Sequence, residues 1–429
     1  MAIQHTPKIT KCVARQILDS RGSPTIEVEV FSDFEDMSAK AAVPSGKSTG
    51  SNEAFEMRDE DGGVAKAIEN IEKVIAPKII GHVVDMEEVD HIMLSLDLTI
   101  NKKHIGANAM LGVSMAMARL EAKIRNIPLW EFISKKGKFE TAKPLLYMNT
   151  LNGGTHADFC LPFQEYILAV GGETLALANE KAKEVFQKVK EKLDAEKVSY
   201  YMGDEGGFAA RFEELEKPFE LLSECIAGEK DIFIAIDAAA SEFYKNGKYE
   251  ILGKSLGRGE LFILYKDLVE KFNLRSIEDP FEEKDYDGFE KLVRWVGEEV
   301  LVVGDDLTTT NPLLIKKFAP RGLANAIIIK PNQIGTLVET FEAIREAKNA
   351  GWKVIVSHRS GETMDSFIAD LAVGAGAYGI KAGAHTQPER LAKYDRLLEI
   401  EKEMAVVSGE ETRKKEEKEL EIKRQLEEY

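Results

Sequence analysis

The chain has 429 residues, 44% of them hydrophobic and 31% charged, a composition shared by ordinary globular proteins. Its formal net charge of −17 argues against nonspecific binding to nucleic acid or to anionic membranes, since both need a basic face. The N-terminus is polar, no apolar run approaches the roughly 20 residues that span a bilayer, and the three cysteines make neither a disulfide framework nor a CxxC motif. We therefore expect a cytoplasmic protein, long enough for a large barrel and a second domain.

The first third of the sequence alternates and then becomes helical in pattern. Residues 25–31 (TIEVEVF) have the period of two that predicts a half-buried strand, and residues 40–43 predict a short strand before the loop PSGKSTG. From about residue 63 to residue 134, apolar positions recur with helical spacing, as in ANAMLGVSMAMARLEAKI. This order predicts an N-terminal α+β cap domain, which we place at residues 1–140.

From about residue 143 onwards, short apolar runs such as IFIAIDAAA, VLVVGDDL and NAIIIKPN alternate with amphipathic, helix-like segments. Continuous apolar strands covered by helices are typical of a parallel sheet. The runs end in reactive residues that recur about every 30 positions, the length of one βα unit. The pattern predicts an α/β fold with a TIM-type β/α barrel at residues 141–429. Six side chains should then converge at the carboxyl ends of its strands: Asp237, Glu278, Asp305, Lys330, His358 and Lys381.

Three of these strand-end residues, Asp237, Glu278 and Asp305, are carboxylates, and together they predict a metal site. Mg²⁺ takes oxygen ligands and leaves coordination positions for substrate oxygens. The neighbouring Asp279 and Asp306 are expected to accept hydrogen bonds that orient the ligands or the lysines. The alternative for each carboxylate is helix capping or a surface ion pair.

Two strand-end lysines, Lys330 and Lys381, follow apolar runs, where an ordinary surface lysine would be unusual. A nearby metal ion lowers the pKa of a lysine because a second positive charge opposes protonation. A lysine with such a lowered pKa can act as a general base near neutral pH. The alternative is that each lysine pairs with a barrel carboxylate.

Two loops offer further chemistry. The segment GDEGG places Glu205 between glycines, where a carboxyl group can approach a substrate and act as an acid, although DEGG alone fits any turn. The segment SHRSG follows a strand and offers the Arg359 guanidinium and the Ser360 hydroxyl to a phosphate. By contrast, Gly46-Lys47-Ser48 is not a nucleotide-binding P-loop, because the glycine that this motif needs five residues earlier is Ala41.

These residues lie within longer stretches that resemble the enolase family, and the resemblance runs from about residue 13 to residue 403. The stretches IIIKPNQIGTL and VSHRSGET are the most specific of them. The others include LDSRGSPTIEVEV, VPSGKSTG, GANAMLGVS, LNGGTHA, QEYI, GDEGGFA, DAAASEFYKNGKY, SIEDPFEE, GDDLTTTNP and ERLAKYDRLLEIE. The resemblance implies a magnesium-dependent lyase that reversibly dehydrates 2-phospho-D-glycerate to phosphoenolpyruvate in glycolysis and gluconeogenesis. It also implies a homodimer or a higher assembly of dimers.

The resemblance assigns a role to each matching residue. Lys330 is implied as the base that removes the proton beside the substrate carboxylate, and Glu205 as the acid that helps the hydroxyl group leave. Glu165 and His358 complete the implied catalytic group. Asp237, Glu278 and Asp305 are implied as ligands of a first Mg²⁺, and Ser48, on a mobile loop, as a ligand of a second. The implied substrate-binding residues are Lys381 for the carboxylate, Arg359 and Ser360 for the phosphate, and His156 on a second loop that closes over the site.

This chain departs from the family's usual residues mainly in the loops around that site. Lys47 replaces an alanine, and other departures are residues 158–160, 210–211, 385–388, Pro331 and Met364. Loop changes alter substrate shape more readily than the chemical step, so two alternatives remain open here. One is a paralogue of the same superfamily that forms an enolate from another carboxylate. The other is a non-catalytic protein with the same fold.

Overall fold

A computed structural model describes residues 6–47 and 50–427, with side chains up to residue 409. The N-terminal unit begins with three strands, β1 (Ile9–Leu18), β2 (Pro24–Ser32) and β3 (Ser38–Ala42), paired antiparallel in that order. Alternate residues of β2 are buried, as the period of two predicted. Five helices follow: α1 (Ala65–Asn70), α2 (Ala76–Ile79), α3 (Met86–Leu96), α4 (Ala107–Ile124) and α5 (Leu129–Gly137).

The second unit contains thirteen strands and eight helices within the described residues. The strands are β4 (Leu145–Asn152), β5 (Glu165–Val170), β6 (Tyr200–Met202), β7 (Phe208–Ala210), β8 (Ile232–Asp237), β9 (Tyr244–Lys245), β10 (Lys248–Ile251), β11 (Lys254–Leu256), β12 (Leu274–Glu278), β13 (Leu301–Gly304), β14 (Ala326–Ile329), β15 (Lys353–Ser357) and β16 (Gly379–Lys381). The helices are α6 (Leu175–Ala195), α7 (Lys217–Cys225), α8 (Arg258–Lys271), α9 (Tyr286–Val296), α10 (Pro312–Phe318), α11 (Leu337–Asn349), α12 (Phe367–Gly374) and α13 (Pro388–Glu427).

Eight of these strands close into a barrel, because β16 pairs with β4 and completes the ring β4, β5, β8, β12, β13, β14, β15, β16. The predicted TIM-type barrel is thus present. The expectation of a parallel sheet is wrong at one strand, since β5 runs antiparallel to both β4 and β8. This reversed strand follows β4 directly through the loop at residues 153–164, so no crossover helix separates the two strands.

The barrel interior explains where the reactive residues lie. A small cluster of inward-facing residues from alternate strand positions fills it, including Ala235, Val303 and Ile328. Side chains two residues apart on a strand share a face. Asp237, Asp305 and Lys330 each follow one of these residues by two positions, so they continue the inward rows to the carboxyl end of the barrel. We call this end the mouth.

The N-terminal unit packs against the barrel through a seam that contains partly buried ion pairs. Arg119 on α4 donates to Asp365 with an Nη2–Oδ1 distance of 2.7 Å, and Lys102 pairs with Glu339 at 2.8 Å. At the same seam Asp90 on α3 accepts the backbone N–H of Val338 at 3.0 Å, in the first turn of α11. None of the described helices has an apolar stretch of the length needed to cross a membrane.

Candidate active site

The six predicted strand-end residues meet at the mouth. Asp237, Glu278 and Lys381 are the last residues of β8, β12 and β16, while Asp305, Lys330 and His358 directly follow β13, β14 and β15. Together with Glu165, Glu205, His156, Arg359 and Ser360, most of them line one cavity. The sequence-predicted residues are therefore brought together, with the exception of Ser48, which lies outside the described residues.

Glu165 reaches the mouth because its strand is reversed. It is the first residue of β5 and pairs in register with Asp237, the last residue of β8. In a parallel strand the first residue would lie at the opposite end of the barrel. The antiparallel strand therefore adds a carboxylate to the mouth from the beginning of a strand.

Lys381 lies at the centre of three carboxylates. Its Nζ is 3.1 Å from Asp237 Oδ2, 2.9 Å from Glu278 Oε2 and 3.1 Å from Glu165 Oε1. Burial alone would lower the pKa of this ammonium group, but the three carboxylates outweigh it and hold the pKa well above its usual value. The structure thus pairs Lys381 with barrel carboxylates, and its contact with a substrate carboxylate stays a prediction.

Lys330 donates a short hydrogen bond to Asp305 Oδ2. Burial lowers its pKa, but the negative charges of Asp305 and Glu278 outweigh burial and raise the pKa to about 12. The expected lowering of this pKa therefore does not come from the protein's own charges. It depends on a cation that occupies the carboxylates and adds a positive charge beside the lysine.

On the other side of the mouth, Glu205 is enclosed by an amide and two imidazole rings. Asn149 Nδ2 donates to its Oε2 at 2.7 Å, His358 Nε2 lies 3.4 Å from the same oxygen, and His156 Nδ1 lies 3.5 Å from Oε1. Burial and the neighbouring Glu205 raise the pKa of Glu165 well above its usual value. Burial also acts to raise the pKa of Glu205, but the facing His358 and His156 outweigh burial and hold this pKa well below its usual value. Glu165 therefore holds a proton more tightly than its neighbour Glu205.

The loop that carries His156 is held in a tight conformation. His156 lies in a short 3₁₀ turn, Gly154–Ala157, and burial lowers the pKa of its imidazole. Asp158 and Phe159 have φ angles of 49° and 54°, in the left-handed region that side chains seldom adopt. A Cβ atom on Gly153 would lie 2.3 Å from the carbonyl oxygen of Phe163. Glycine is therefore required where this loop leaves β4.

Arg359 and Ser360 connect the mouth with the N-terminal unit. Arg359 Nη1 lies 3.1 Å from Glu53 Oε2, and Ser360 Oγ accepts the backbone N–H of Lys47 at 3.0 Å. A Cβ atom on Gly46 would lie 1.9 Å from Arg359 Nη2. The first loop of the N-terminal unit thus lies directly over the two residues predicted to bind a phosphate.

Lys47 extends from that loop across the mouth. Its Nζ donates to Asp204 Oδ2 at 2.9 Å and to the carbonyl oxygen of Thr155 at 3.0 Å, with 44% of its side chain exposed. The ammonium group of Lys47 is therefore bound to protein atoms and does not simply extend into solvent. Lys47 instead links the three loops that carry Gly46, His156 and Glu205.

Sequence comparisons agree with this geometry. A family model described as "Enolase, C-terminal TIM barrel domain" matches residues 140–418, and one described as "Enolase, N-terminal domain" matches residues 9–133. An enolase of Thermococcus gammatolerans is 46% identical over 92% of this chain and 95% of its own length. Enolases of Thermococcus kodakarensis and Methanopyrus kandleri are 44% and 45% identical over 95% and 93% of this chain, and over 98% and 96% of their own lengths.

The chain belongs to the enolase family. The predicted family, the barrel with its N-terminal α+β unit and the lyase class are thereby confirmed. The comparisons give no support to the alternative of a paralogue with a different substrate.

Several residues that differ from the usual enolase residues make hydrogen bonds next to the loops that carry His156 and Glu205. Cys160 is buried and its Sγ donates to the carbonyl oxygen of Asn152 at 3.3 Å. His385 shares a 2.7 Å hydrogen bond with Asn179 Oδ1 and stacks on Tyr394, while Thr386 donates to the carbonyl oxygen of Gly206 at 3.0 Å. These residues fix the positions of the loops that carry His156 and Glu205.

The mouth fits the metal dependence of the enolase family. Among the described residues, donor atoms of Asp279, Asp305 and Asp306 lie within 4.8 Å of one another, while Asp237 and Glu278 share the ammonium group of Lys381. Burial and neighbouring carboxylates raise the pKa values of Glu278, Asp279 and Asp306 well above normal. The protein's own cations therefore leave negative charge uncompensated, and a hard divalent cation suits these oxygen donors.

Some functional residues escaped the sequence analysis. Gln164 donates to Asp237 Oδ2 at 3.3 Å, and Gln333 donates to Asp305 Oδ1 at 2.9 Å. Asn149 donates to Glu205 Oε2, and the carboxylate of Glu53 accepts from Arg359 Nη1. The only available signal was their presence in or beside the quoted family stretches, since neutral amides are common in any loop. The predicted role of Asp279 is supported, because it accepts the backbone N–H groups of Asp305 and Asp306 at 3.0 and 2.8 Å.

Proposed function

We propose that this protein catalyses the reversible, Mg²⁺-dependent dehydration of 2-phospho-D-glycerate to phosphoenolpyruvate, a step of glycolysis and gluconeogenesis. The observation that carries the proposal is the arrangement of the mouth, where Lys330 with its carboxylates faces a second group formed by Glu165, Glu205, His156 and His358. A base and an acid on opposite sides of one cavity suit the removal of a proton and a hydroxyl group from adjacent carbons.

In the proposed reaction, Lys330 removes the proton from the carbon beside the carboxylate. Glu205 gives a proton to the departing hydroxyl group, which leaves as water. Glu165 and Glu205 lie close enough to pass a proton between them, so Glu165 can supply Glu205 with the proton that it gives to the hydroxyl group. Arg359 and Ser360 bind the phosphate, Lys381 contacts the substrate carboxylate, and His156 helps to close the site.

Asp237, Glu278 and Asp305 are the proposed ligands of one Mg²⁺, and Ser48 of a second. When bound, these ions would supply positive charge that stabilises the enediolate form of the substrate. The carboxylates present the oxygen chemistry that the ion needs, and Gln164 and Gln333 hold two of them in orientation.

We also propose a domain boundary, a cellular location and an assembly state. We place the boundary between the two domains at residues 140 and 141, because α5 ends at Gly137 and the first barrel strand begins at Leu145. We assign the protein to the cytoplasm, since Cys12, Cys160 and Cys225 are free thiols. We expect a homodimer or an assembly of dimers, an expectation that rests on the family alone.

The proposal is tested by adding 2-phosphoglycerate to the purified protein and following the absorbance of phosphoenolpyruvate with Mg²⁺, after chelation, and after Mg²⁺ is restored. We expect turnover that disappears with chelation and returns with the ion. A folded protein that leaves 2-phosphoglycerate unchanged in the presence of Mg²⁺ would overturn the proposal.

A further inference from the structure

Arg390, in the first turn of α13, is a fully buried cation at the edge of the mouth. Its Nη1 donates to the carbonyl oxygen of Arg359 at 2.6 Å, and its Nη2 donates to those of Ser360 and Asp204 at 2.8 and 3.2 Å. One guanidinium group thus joins the segment after β15 to the residue before Glu205. A buried charge satisfied by carbonyl oxygens fixes the relative positions of these two segments.

The same Nη1 also lies 2.6 Å from Nδ1 of His358. A guanidinium group has only donors, so Nδ1 of the imidazole must accept this hydrogen bond. An imidazole that accepts at Nδ1 carries its proton at Nε2. The contact with Arg390 therefore selects one neutral tautomer of His358.

The selected Nε2–H group faces Glu205. His358 Nε2 lies 3.4 Å from Glu205 Oε2, a long contact of the kind that tightens when substrate binds. Asn149 Nδ2 already donates to this same oxygen at 2.7 Å. Asn149 is hydrogen-bonded to Oε2, and His358 Nε2 lies 3.4 Å from the same oxygen without completing a hydrogen bond, so a proton placed on Oε2 would meet both N–H groups.

The other oxygen of Glu205 faces the reacting groups. Oε1 lies 3.5 Å from His156 Nδ1, and donor atoms of His156, Glu165 and Glu205 all lie within 4.8 Å of one another. A proton carried by Oε1 is therefore directed towards Glu165 and the cavity.

We propose that Arg390 is a positioning residue for the acid: by holding His358 as the Nε2–H tautomer, it directs the dissociable proton of Glu205 to Oε1. This inference rests on the proposed function, because it assigns the acid role to Glu205. Arg390 would thus orient a catalytic group from α13, whereas most of the reacting side chains lie at the ends of the barrel strands.

The first test is the tautomer of His358 in the wild-type protein, measured by ¹⁵N NMR of protein labelled at histidine and assigned with His358→Gln. We expect an unprotonated Nδ1 and a protonated Nε2 at neutral pH. A proton on Nδ1, or a doubly protonated ring, would overturn the proposal whether or not any variant folds.

The second test compares Arg390→Met with Arg390→Lys. We expect Arg390→Met to lose the single tautomer and to lower kcat by about 10–100-fold, the scale for removing a partner that orients a catalytic group, with little change in KM. Arg390→Lys keeps a donor near Nδ1 of His358, so it should recover part of the tautomer preference and part of kcat. The matched control is Arg396→Met, six residues further along the same helix, whose guanidinium binds Asp370 at 2.8 Å and Glu403. It should change stability without changing the tautomer.

A loss of kcat in Arg390→Met with the Nε2–H tautomer retained would show a purely structural role and would contradict the proposal. The NMR measurement does not depend on turnover. An absence of 2-phosphoglycerate turnover in the wild-type protein would therefore count against the proposed function, and an incorrect tautomer would count against the role of Arg390.

Discussion

The seam between the N-terminal unit and the barrel carries two ion pairs and the buried carboxyl group of Asp90, whereas the mouth buries more carboxylates than cations. At the seam, Arg119 pairs with Asp365 and Lys102 with Glu339, and the pKa of Asp365 is lowered because the favourable charge of Arg119 outweighs burial. At the mouth, burial and crowding raise the pKa values of several carboxylates well above normal. These are Glu165, Glu278, Asp279 and Asp306.

This difference distinguishes a region that holds the two units together from a region that can carry out a reaction. Buried charge alone does not identify an active site, since the seam has it as well. The mouth differs because its described cations do not neutralise its carboxylates, so the site favours an added cation and a shared proton. Breaking a pair at the seam should therefore cost stability, while charge left in excess at the mouth is available for binding and proton transfer.

The largest effect should come from the mouth. Lys330→Ala removes the proposed base, so turnover and solvent exchange of the α-proton of 2-phosphoglycerate should fall by about 10²–10⁴-fold, the scale of general acid–base catalysis. Exchange is measured by NMR in deuterated solvent, and retention of the fold by circular dichroism. Lys353→Ala is the matched control, because Lys353 is the exposed first residue of β15, at the opposite end of the barrel. Exchange at the wild-type rate in Lys330→Ala would assign the base to another residue.

The seam should behave in the opposite way. Arg119→Met leaves Asp365 buried without its partner, which should lower the free energy of unfolding by about 3 kcal/mol while kcat per folded molecule is unchanged. Denaturant unfolding and active-site titration measure the two quantities. Lys123→Met, on the exposed face of the same helix, should have little effect on either. A loss of kcat without a loss of stability would contradict the division between the two regions.

The smallest effect should come from the exposed pair between Lys47 and Asp204. Lys47→Ala should raise KM by up to about fivefold at low salt, because a partly exposed ion pair contributes about 0.2–1 kcal/mol. The effect should shrink as ionic strength rises. Asp204→Asn should have a similar effect, and the double variant should lose little more than either single variant, as expected for two residues that act through one contact. Additive losses would show that Lys47 acts on the substrate directly.

The sequence predicted the barrel and most of the mouth because both depend on local patterns. Apolar runs ending in a reactive residue fix the strand ends, and the period of two then places Asp237, Asp305 and Lys330 on the inward face. The reversed direction of β5 was missed, although the connection at residues 153–164 holds no α-helix of the kind that joins parallel strands. The pKa of Lys330 could not be predicted from the sequence, because it depends on which carboxylate lies nearest in space.

The side-chain amides and Arg390 could not be identified as functional from the sequence pattern. Asn149, Gln164 and Gln333 bind the reactive carboxylates, yet none of them has a distinctive spacing in the sequence. Arg390 follows Arg359 by 31 positions and touches its carbonyl oxygen only because α13 returns to the mouth. Positioning residues are set by tertiary contacts, so a sequence pattern reveals the reacting groups before it reveals the groups that orient them.

The reversed strand also sets where this enzyme tolerates changes in length. The loop at residues 153–164 lies between Asn152, the last residue of β4, and Glu165, the first residue of β5, so both of its anchors are strand ends at the mouth. Most of this loop is buried, so residues inserted beside its exposed positions Asp158 and Phe159 would alter the entrance to the cavity with the least disturbance of the barrel. The connection at residues 171–174 lies at the far end of the barrel, where added residues would extend into solvent away from the chemistry. Libraries that vary loop length to change substrate range should therefore target the first segment, and fusion partners or tags should be inserted at the second.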